Sequence, residues 1–138
     1  MLTGGSGFVG RYVYKSLSKD EHNLLAFSRN NTSDFVLGDL NRLDKIKKDI
    51  INFNPDVIIH LAWQGIPDYS EKISKLNLET SIVFFDFLFK ETRCKKILSS
   101  GSCWEYGRNN GPCKENDKEY INSYFTWAKH SLNNYLKV

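Results

Sequence analysis

Three glycines near the start of the chain have the spacing of a phosphate-binding turn. The segment from Thr3 to Gly10 reads TGGSGFVG, which places Gly4, Gly7 and Gly10 at intervals of three residues. Because glycine lacks Cβ, the chain can turn sharply, approach a pyrophosphate closely and pack a helix tightly on its strand. A helix that begins here directs free N–H groups and its positive dipole end toward the phosphates. Glycine-rich turns also join strands to helices without binding a ligand, so this alternative stays open from the spacing alone.

The elements that would position this turn are predicted from the spacing of apolar residues. The predicted strands are 24–28, 35–40, 57–62 and 96–102, and the predicted helices are 8–17, 42–53, 70–91 and a last one that begins near Asn122. The run from Val57 to Ala62 is apolar except for His60, which is typical of a parallel strand buried on both faces. We interpret His60 as a core histidine. A polar loop is expected at 30–34, after the first of these strands.

Three of the predicted helices have an apolar side defined by their spacing. On the first helix this side contains Phe8, Val9, Tyr12, Val13 and Leu17. On the second helix it contains Leu43, Ile46, Ile50 and Phe53. On the third and longest helix it contains Ile73, Leu76, Ile82, Val83, Phe84, Phe87 and Leu88.

The bulk composition is that of one ordinary globular domain, with 138 residues, 41% hydrophobic and 25% charged. The net charge of +3 comes from scattered basic residues, which favours solvated helix faces over a nucleic-acid surface. Cys94, Cys103 and Cys113 are odd in number and form no C-x-x-C pair, so neither a disulfide framework nor a zinc site is indicated. With no membrane-spanning run and no signal-peptide pattern, we expect reduced thiols and a cytoplasmic location.

The segment from Thr3 to Gly10 resembles the T-G-G-x-G-F-[IV]-G loop of the NAD(P)-dependent epimerase/dehydratase family, the extended short-chain dehydrogenase/reductases. The resemblance covers essentially the whole chain. It implies a Rossmann-like α/β fold, with about five parallel strands and helices on both faces, as one NAD(P)-binding domain over 1–138. It also implies a nucleotide-sugar epimerase, dehydratase or reductase of surface-polysaccharide synthesis, acting on a nucleotide sugar. Family members often pair through two helices, so a homodimer is expected.

The resemblance also assigns residues to the cofactor. Those implied to contact NAD(P) or hold the backbone beside it are Gly4, Gly7, Phe8, Val9, Gly10, Asp39, Leu40, Leu61, Ala62, Trp63, Asn77 and Lys129. Alternatively, Asp39 or Asn41 caps the following helix, and Asn77 is only a polar helix residue.

The choice between NADP and NAD depends on the end of the predicted strand at 24–28. Arg29 stands there and no acidic residue does. An acid would bind the ribose 2′-OH of NAD, whereas an arginine accommodates the 2′-phosphate of NADP. The sequence therefore favours NADP, with a solvated loop arginine as the alternative.

Residues 99–107 read SSGSCWEYG and resemble the family pattern S-S-x-[ST]-x-x-x-Y-G, in which Ser102 takes the place of the catalytic hydroxyl. Lys129 matches the lysine of the family's Tyr-x-x-x-Lys pair, which binds the nicotinamide ribose and lowers the tyrosine pKa. Phe125 stands where that tyrosine is expected, and it has no proton to transfer. Tyr124, one residue earlier, is the one nearby tyrosine that could replace it as a catalytic residue. It is about 140° from Lys129 around a regular helix, so we expect it to point away unless the helix starts late or bulges.

The resemblance ends with the helix that carries Lys129, whereas family members continue into a region that binds the sugar. The first strand is also shorter than theirs, so we expect a truncated sheet with exposed apolar surface. Three hypotheses follow: the cofactor-binding part of an active enzyme, an NAD(P)-binding module that does not catalyse, and a gene fragment.

Overall fold

The computed structural model describes residues 1–20, 22–30, 33–107 and 111–137. Within them the strands are β1 (Leu2–Thr3), β2 (Ala26–Ser28), β3 (Val36–Leu37), β4 (Val57–His60) and β5 (Lys96–Ser99). The α-helices are α1 (Gly10–Leu17), α2 (Leu43–Phe53), α3 (Glu71–Glu91) and α4 (Tyr124–Tyr135), and 3-10 helices cover Leu40–Arg42 and Cys103–Tyr106. Two positions of the predicted polar loop, Asn31 and Thr32, lie outside the described residues.

The five described strands form one parallel sheet in the order β3-β2-β1-β4-β5. The short strand β1 lies at its centre, where Leu2 pairs with Ala26 and Ile59, and Thr3 pairs with Phe27 and His60. This arrangement confirms the predicted Rossmann-like α/β fold. Because the strands are parallel, the glycine turn after β1 and the residues after β4 emerge at the same edge of the sheet, where ligands bind in such folds.

The described residues divide into two compact units. The first unit comprises Met1–Trp63 and Val83–Ser100, and it contains the whole sheet with α1, α2 and the C-terminal half of α3. The second unit comprises Gln64–Ile82 and Gly101–Val138, and it contains the N-terminal half of α3, the 3-10 helix at Cys103–Tyr106 and α4.

The core of the first unit is built largely from the residues whose burial the sequence predicts. Ile46 and Ile50 on α2 are buried, as are Leu2 and Ile58 in the strands. The prediction that β4 is buried on both faces is wrong at its first residue, since Val57 is 40% exposed. Its side chain lines an open groove together with Met1 and Leu24.

The inward side of α3 differs from the predicted one. Leu76 and Val83 are exposed, whereas Leu78 and Phe85, which the apolar pattern did not select, are buried. The buried stripe also contains the polar residues Ser74, Asn77 and Ser81. Because polar side chains interrupt this stripe, the apolar periodicity alone assigned the wrong phase over the first half of the helix.

Helix α1 begins at Gly10, two residues later than predicted, because Phe8 and Val9 belong to the glycine turn. Phe8, Val9 and Tyr12 are exposed, and Phe8 is 75% accessible. The guanidinium carbon of Arg11 lies 5.1 Å from the ring centroids of both Phe8 and Tyr12. The apolar spacing of this segment thus reflects a surface cluster rather than core packing.

Cys94, Cys103 and Cys113, all within the described residues, form no disulfide bond. Among the described residues, none of the helices combines the length and apolar character that crossing a bilayer requires.

Candidate functional site

The glycine turn closes on itself and on the end of β4. The N–H of Gly7 donates to the carbonyl of Gly4 at 3.0 Å, and the N–H of Arg11 donates to that of Gly7 at 3.1 Å. Gly4 has φ of +72°, and a Cβ there would lie 2.6 Å from the amide nitrogen of Ala62. A Cβ on Gly10 would overlap the carbonyl oxygen of Gly4. The turn therefore needs glycine at these two positions, and it packs against the backbone of the predicted wall residues Leu61 and Ala62.

Beneath the turn, Thr3 and His60 form a buried polar pair on neighbouring strands. Thr3 Oγ1 lies 2.8 Å from His60 Nδ1, and it also accepts the N–H of Ala62 at 3.4 Å. The imidazole is 2% exposed and lies 5.0 Å, centroid to centroid, from the ring of Phe85. The histidine is a satisfied core residue, as the sequence indicated.

Two further contacts shape the edge of the turn. The hydroxyl of Ser28, at the end of β2, donates to Ser6 Oγ at 3.1 Å and accepts the N–H of Asn30 at 3.1 Å. Sequence reasoning missed this pair, although a hydroxyl residue in the turn and another at the end of the next strand were visible. Arg29 follows Ser28 and is exposed.

The predicted adenine-side residues begin a 3-10 helix. The Asp39 carboxylate accepts the N–H of Asn41 at 2.9 Å, so Asp39 caps the 3-10 helix that starts at Leu40. The sequence alternative placed this cap on the helix over 42–53, but α2 has Arg42 at its N-cap with no side-chain hydrogen bond, so Asp39 caps the short 3-10 helix instead. The contact of Asp39 and Leu40 with a cofactor stays a prediction. Trp63, the last predicted wall residue, is half-buried.

In the second unit, Asn77 holds the backbone of Gln64. Its Oδ1 accepts the Gln64 N–H at 2.8 Å, and its Nδ2 donates to the Gln64 carbonyl at 3.0 Å and to the Ile73 carbonyl at 2.9 Å. The side chain is buried. Because both backbone groups of Gln64 are bonded by one amide side chain, the segment entering α3 is held in a single conformation.

Ser102 caps the 3-10 helix at Cys103–Tyr106. Its Oγ accepts the N–H of Trp104 at 3.2 Å, and its own N–H donates to Glu105 Oε1 at 2.6 Å. These bonds belong to a capping box. The position of the candidate hydroxyl is therefore set by Glu105, a residue that the sequence analysis did not select.

Phe125 is 7% exposed and lies in an aromatic cluster with Tyr69 and Trp104. Its ring centroid is 5.0 Å from that of Tyr69 and 5.8 Å from that of Trp104, both in edge-on geometry. The position of the family tyrosine is thus filled by a ring in apolar contact.

Tyr124 occupies a different face of α4. The helix begins at Tyr124 after the N-cap residue Ser123, whose hydroxyl accepts the N–H of Thr126 at 3.2 Å. Lys75 and, to a smaller extent, the nearby side chain of Tyr124 lower the pKa of the Glu71 carboxyl group on α3. The helix thus starts at Tyr124 directly after its cap, and the direction of Tyr124 relative to Lys129 stays a prediction.

Lys129 is 6% exposed and lies one helical turn after Phe125. Burial lowers the pKa of its ammonium group to about 8, and the negative charge of Glu105 opposes part of this shift. A carboxylate oxygen of Glu105, a carboxylate oxygen of Glu119 and a ring nitrogen of His130 lie within 4.8 Å of one another. Glu119 Oε2 is 2.5 Å from His130 Nδ1.

The sequence matches the NAD dependent epimerase/dehydratase family over residues 1–138. The chain belongs to this family.

Curated proteins resemble the chain at low identity. One is the dTDP-6-deoxy-L-talose 4-dehydrogenase (NAD(+)) of Aggregatibacter actinomycetemcomitans, 29% identical over 124 residues, which are 84% of this chain and 46% of the relative. Another is the methionine adenosyltransferase 2 subunit beta of Danio rerio, 28% identical over 119 residues, which are 85% of this chain and 36% of the relative. The chain therefore spans less than half the length of these curated relatives.

Solved structures share the fold. The UDP-glucose 4-epimerase of Thermotoga maritima, solved with UDP-glucose, superposes with a TM-score of 0.82 at 22% identity, over 99% of this chain and 49% of that one. The Bordetella bronchiseptica enzyme WbmG, solved in complex with NAD, superposes with a TM-score of 0.80 at 16% identity, over 99% and 48%. At these identities the superpositions support the Rossmann-like fold.

Proposed function

We propose that residues 1–138 form the NAD(P)-binding domain of a nucleotide-sugar epimerase, dehydratase or reductase that acts in surface-polysaccharide synthesis. The observation that carries the proposal is the turn from Thr3 to Gly10, closed by its own hydrogen bonds and packed on Leu61 and Ala62. A Cβ at Gly4 would collide with the backbone of Leu61 and Ala62, and a Cβ at Gly10 would collide with the carbonyl of Gly4. Glycine at both positions therefore allows the backbone to turn this closely at the edge of the sheet. The turn therefore fits a dinucleotide pyrophosphate, with Gly7, Phe8 and Val9 beside it.

With a nicotinamide cofactor held at this turn, the site would have a group that exchanges hydride with a carbon of the sugar. In this proposal Lys129 holds the nicotinamide ribose, and Ser102 donates a hydrogen bond to the sugar oxygen at which the proton moves. Asn77 positions the backbone at Gln64 beside the substrate. Phe125 supplies a wall and no proton, and Tyr124 is engaged with Glu71.

The cofactor preference is proposed from Arg29. Its exposed guanidinium follows Ser28 at the end of β2, where a 2′-phosphate would lie in this fold. This supports NADP over NAD, and Asp39 and Leu40 are proposed to contact the adenine.

We further propose a cytoplasmic enzyme that pairs with a second copy of itself. Exposed apolar side chains on α3 and α4 support this pairing, namely Val83 and Trp127. Sedimentation equilibrium of the purified chain tests the homodimer.

The test of the proposed function is a thermal melt of the chain with NADPH or NADH in excess. A ligand that binds only the folded state at one hundred times its Kd stabilises it by about 2.7 kcal/mol and raises Tm. We expect NADPH to raise Tm more than NADH, and Arg29→Ala to remove that difference. Lys19→Ala, at the exposed end of α1, is the matched charge control. A cooperative melt that neither dinucleotide shifts would reject the cofactor role.

A further inference from the structure

We propose that Glu105 is the positioning residue that links the two candidate catalytic groups of the second unit, fixing the backbone at Ser102 and balancing the charge of Lys129. The catalytic meaning of this link rests on the proposed function, whereas the link itself concerns only this chain's own side chains. Glu105 is 6% exposed, so its carboxylate must find its partners within the protein.

The first arm of the link is the capping box around Ser102. Glu105 Oε1 accepts the Ser102 N–H at 2.6 Å, and the Glu105 N–H donates to the Ser102 carbonyl at 3.1 Å. The carbonyl of Glu105 also accepts the N–H of Tyr120 at 2.6 Å, which holds the segment leading to α4. The Ser102 backbone is thus held from both sides by one residue.

The second arm is electrostatic. Lys129 is buried on α4, and a buried ammonium group stays charged only beside an opposite charge. Glu105 is the acid whose field favours the charged form of Lys129. Two further titratable groups, Glu119 and His130, face this carboxylate, and Glu119 Oε2 lies 2.5 Å from His130 Nδ1.

The hydrogen bond to Ser102 and the electrostatic effect on Lys129 require different properties of the side chain at position 105. A glutamine at this position would supply the same oxygen to the Ser102 N–H, since capping boxes accept Glu or Gln. Only a carboxylate supplies the negative charge that Lys129 requires. Glu105→Gln therefore separates the local capping role from the charge-balancing role.

The experiment is an NMR titration of the lysine side chains, in which the signal of Lys129 is assigned by its loss in Lys129→Met. In the unmodified chain we expect Lys129 to titrate near pH 8. In Glu105→Gln the midpoint should fall by about one pH unit, the smaller end of the effect of a neighbouring opposite charge. In Glu105→Asp, which keeps the charge, the midpoint should fall less. Glu115→Gln, the same change at an exposed residue, should leave it unmoved.

An unchanged Lys129 midpoint in a folded Glu105→Gln chain would overturn the proposal. If Glu105→Gln does not fold, the double variant Glu105→Gln/Lys129→Met decides, because removal of the ammonium group removes the need for the carboxylate. We expect this double variant to fold and melt cooperatively, and its failure would also overturn the proposal. NADPH binding is measured in parallel, so that a shifted midpoint without binding rejects the cofactor role alone.

Discussion

Thr3 Oγ1 lies 2.8 Å from Nδ1 of His60, between the central strand of the sheet and its neighbour β4. Both side chains are buried, so the bond cannot be exchanged for one to water. We expect Thr3→Val to lower the free energy of unfolding by about 1 to 3 kcal/mol, because it removes the hydroxyl and leaves the imidazole nitrogen behind. Urea denaturation measures the loss. Thr3→Ser keeps the hydroxyl and serves as the control, and equal stability of all three chains would contradict the prediction.

We expect alanine substitutions at two glycines of the turn to have different effects, one on stability and one on cofactor binding. Gly10→Ala places a methyl group against the Gly4 carbonyl and should destabilise the chain by about 2 kcal/mol or more. In Gly7→Ala the new Cβ would lie 3.1 Å from the same oxygen, so we expect the fold to survive and the affinity for NADPH to fall. Gly111→Ala, where a Cβ meets nothing within 4 Å, is the control for both measurements. Equal thermal stability of Gly10→Ala and Gly111→Ala would show that the neighbouring backbone relieves the overlap at no cost.

Phe125 stands where the family has a tyrosine, so the proposed site lacks the hydroxyl group that would transfer the proton. Phe125→Tyr should raise the rate of hydride transfer between a nucleotide sugar and the nicotinamide by about 100-fold or more, the usual contribution of a general acid–base group. Tyr124→Phe should leave the rate unchanged, because we expect Tyr124 to point away from Lys129. The absorbance of NADPH follows both reactions. A rate lost in Tyr124→Phe would instead assign the proton to that residue.

Because burial lowers the pKa of Lys129, we expect the free energy of unfolding to depend on pH. Its pKa is about 8 in the folded chain and 10.5 as the reference value for an unfolded chain, so between these values the unfolded state binds more protons. The contribution of Lys129 to stability is therefore present above pH 10.5 and is lost as the pH falls through 8. The loss is on the order of 3 kcal/mol. The free energies of unfolding of the unmodified chain and of Lys129→Met, each measured at pH 7 and pH 10, give this loss. Parallel pH profiles of the two chains would contradict the prediction.

The fold class and most elements follow from local patterns. The sheet segments at Ala26–Ser28 and Lys96–Ser99 and the helices at Leu43–Phe53 and Glu71–Glu91 lie where apolar spacing predicted them. The apolar residues of α2 mark its inward side because no buried polar residue interrupts them. On α3 the same reasoning failed, since Ser74, Asn77 and Ser81 occupy the buried stripe.

The sequence by itself determined the glycine turn, the family and the phenylalanine in place of tyrosine at 125. Each of these depends on residue identity and on spacing within a short segment, which the sequence shows directly. Only the tertiary structure decided that Glu105 lies where its negative charge opposes the lowering of the Lys129 pKa, and that Ser28 bonds Ser6. The residues in each of these contacts lie on different segments, far apart in the sequence. Helix or strand periodicity relates only neighbouring residues of one element, so these contacts are seen only in the three-dimensional structure.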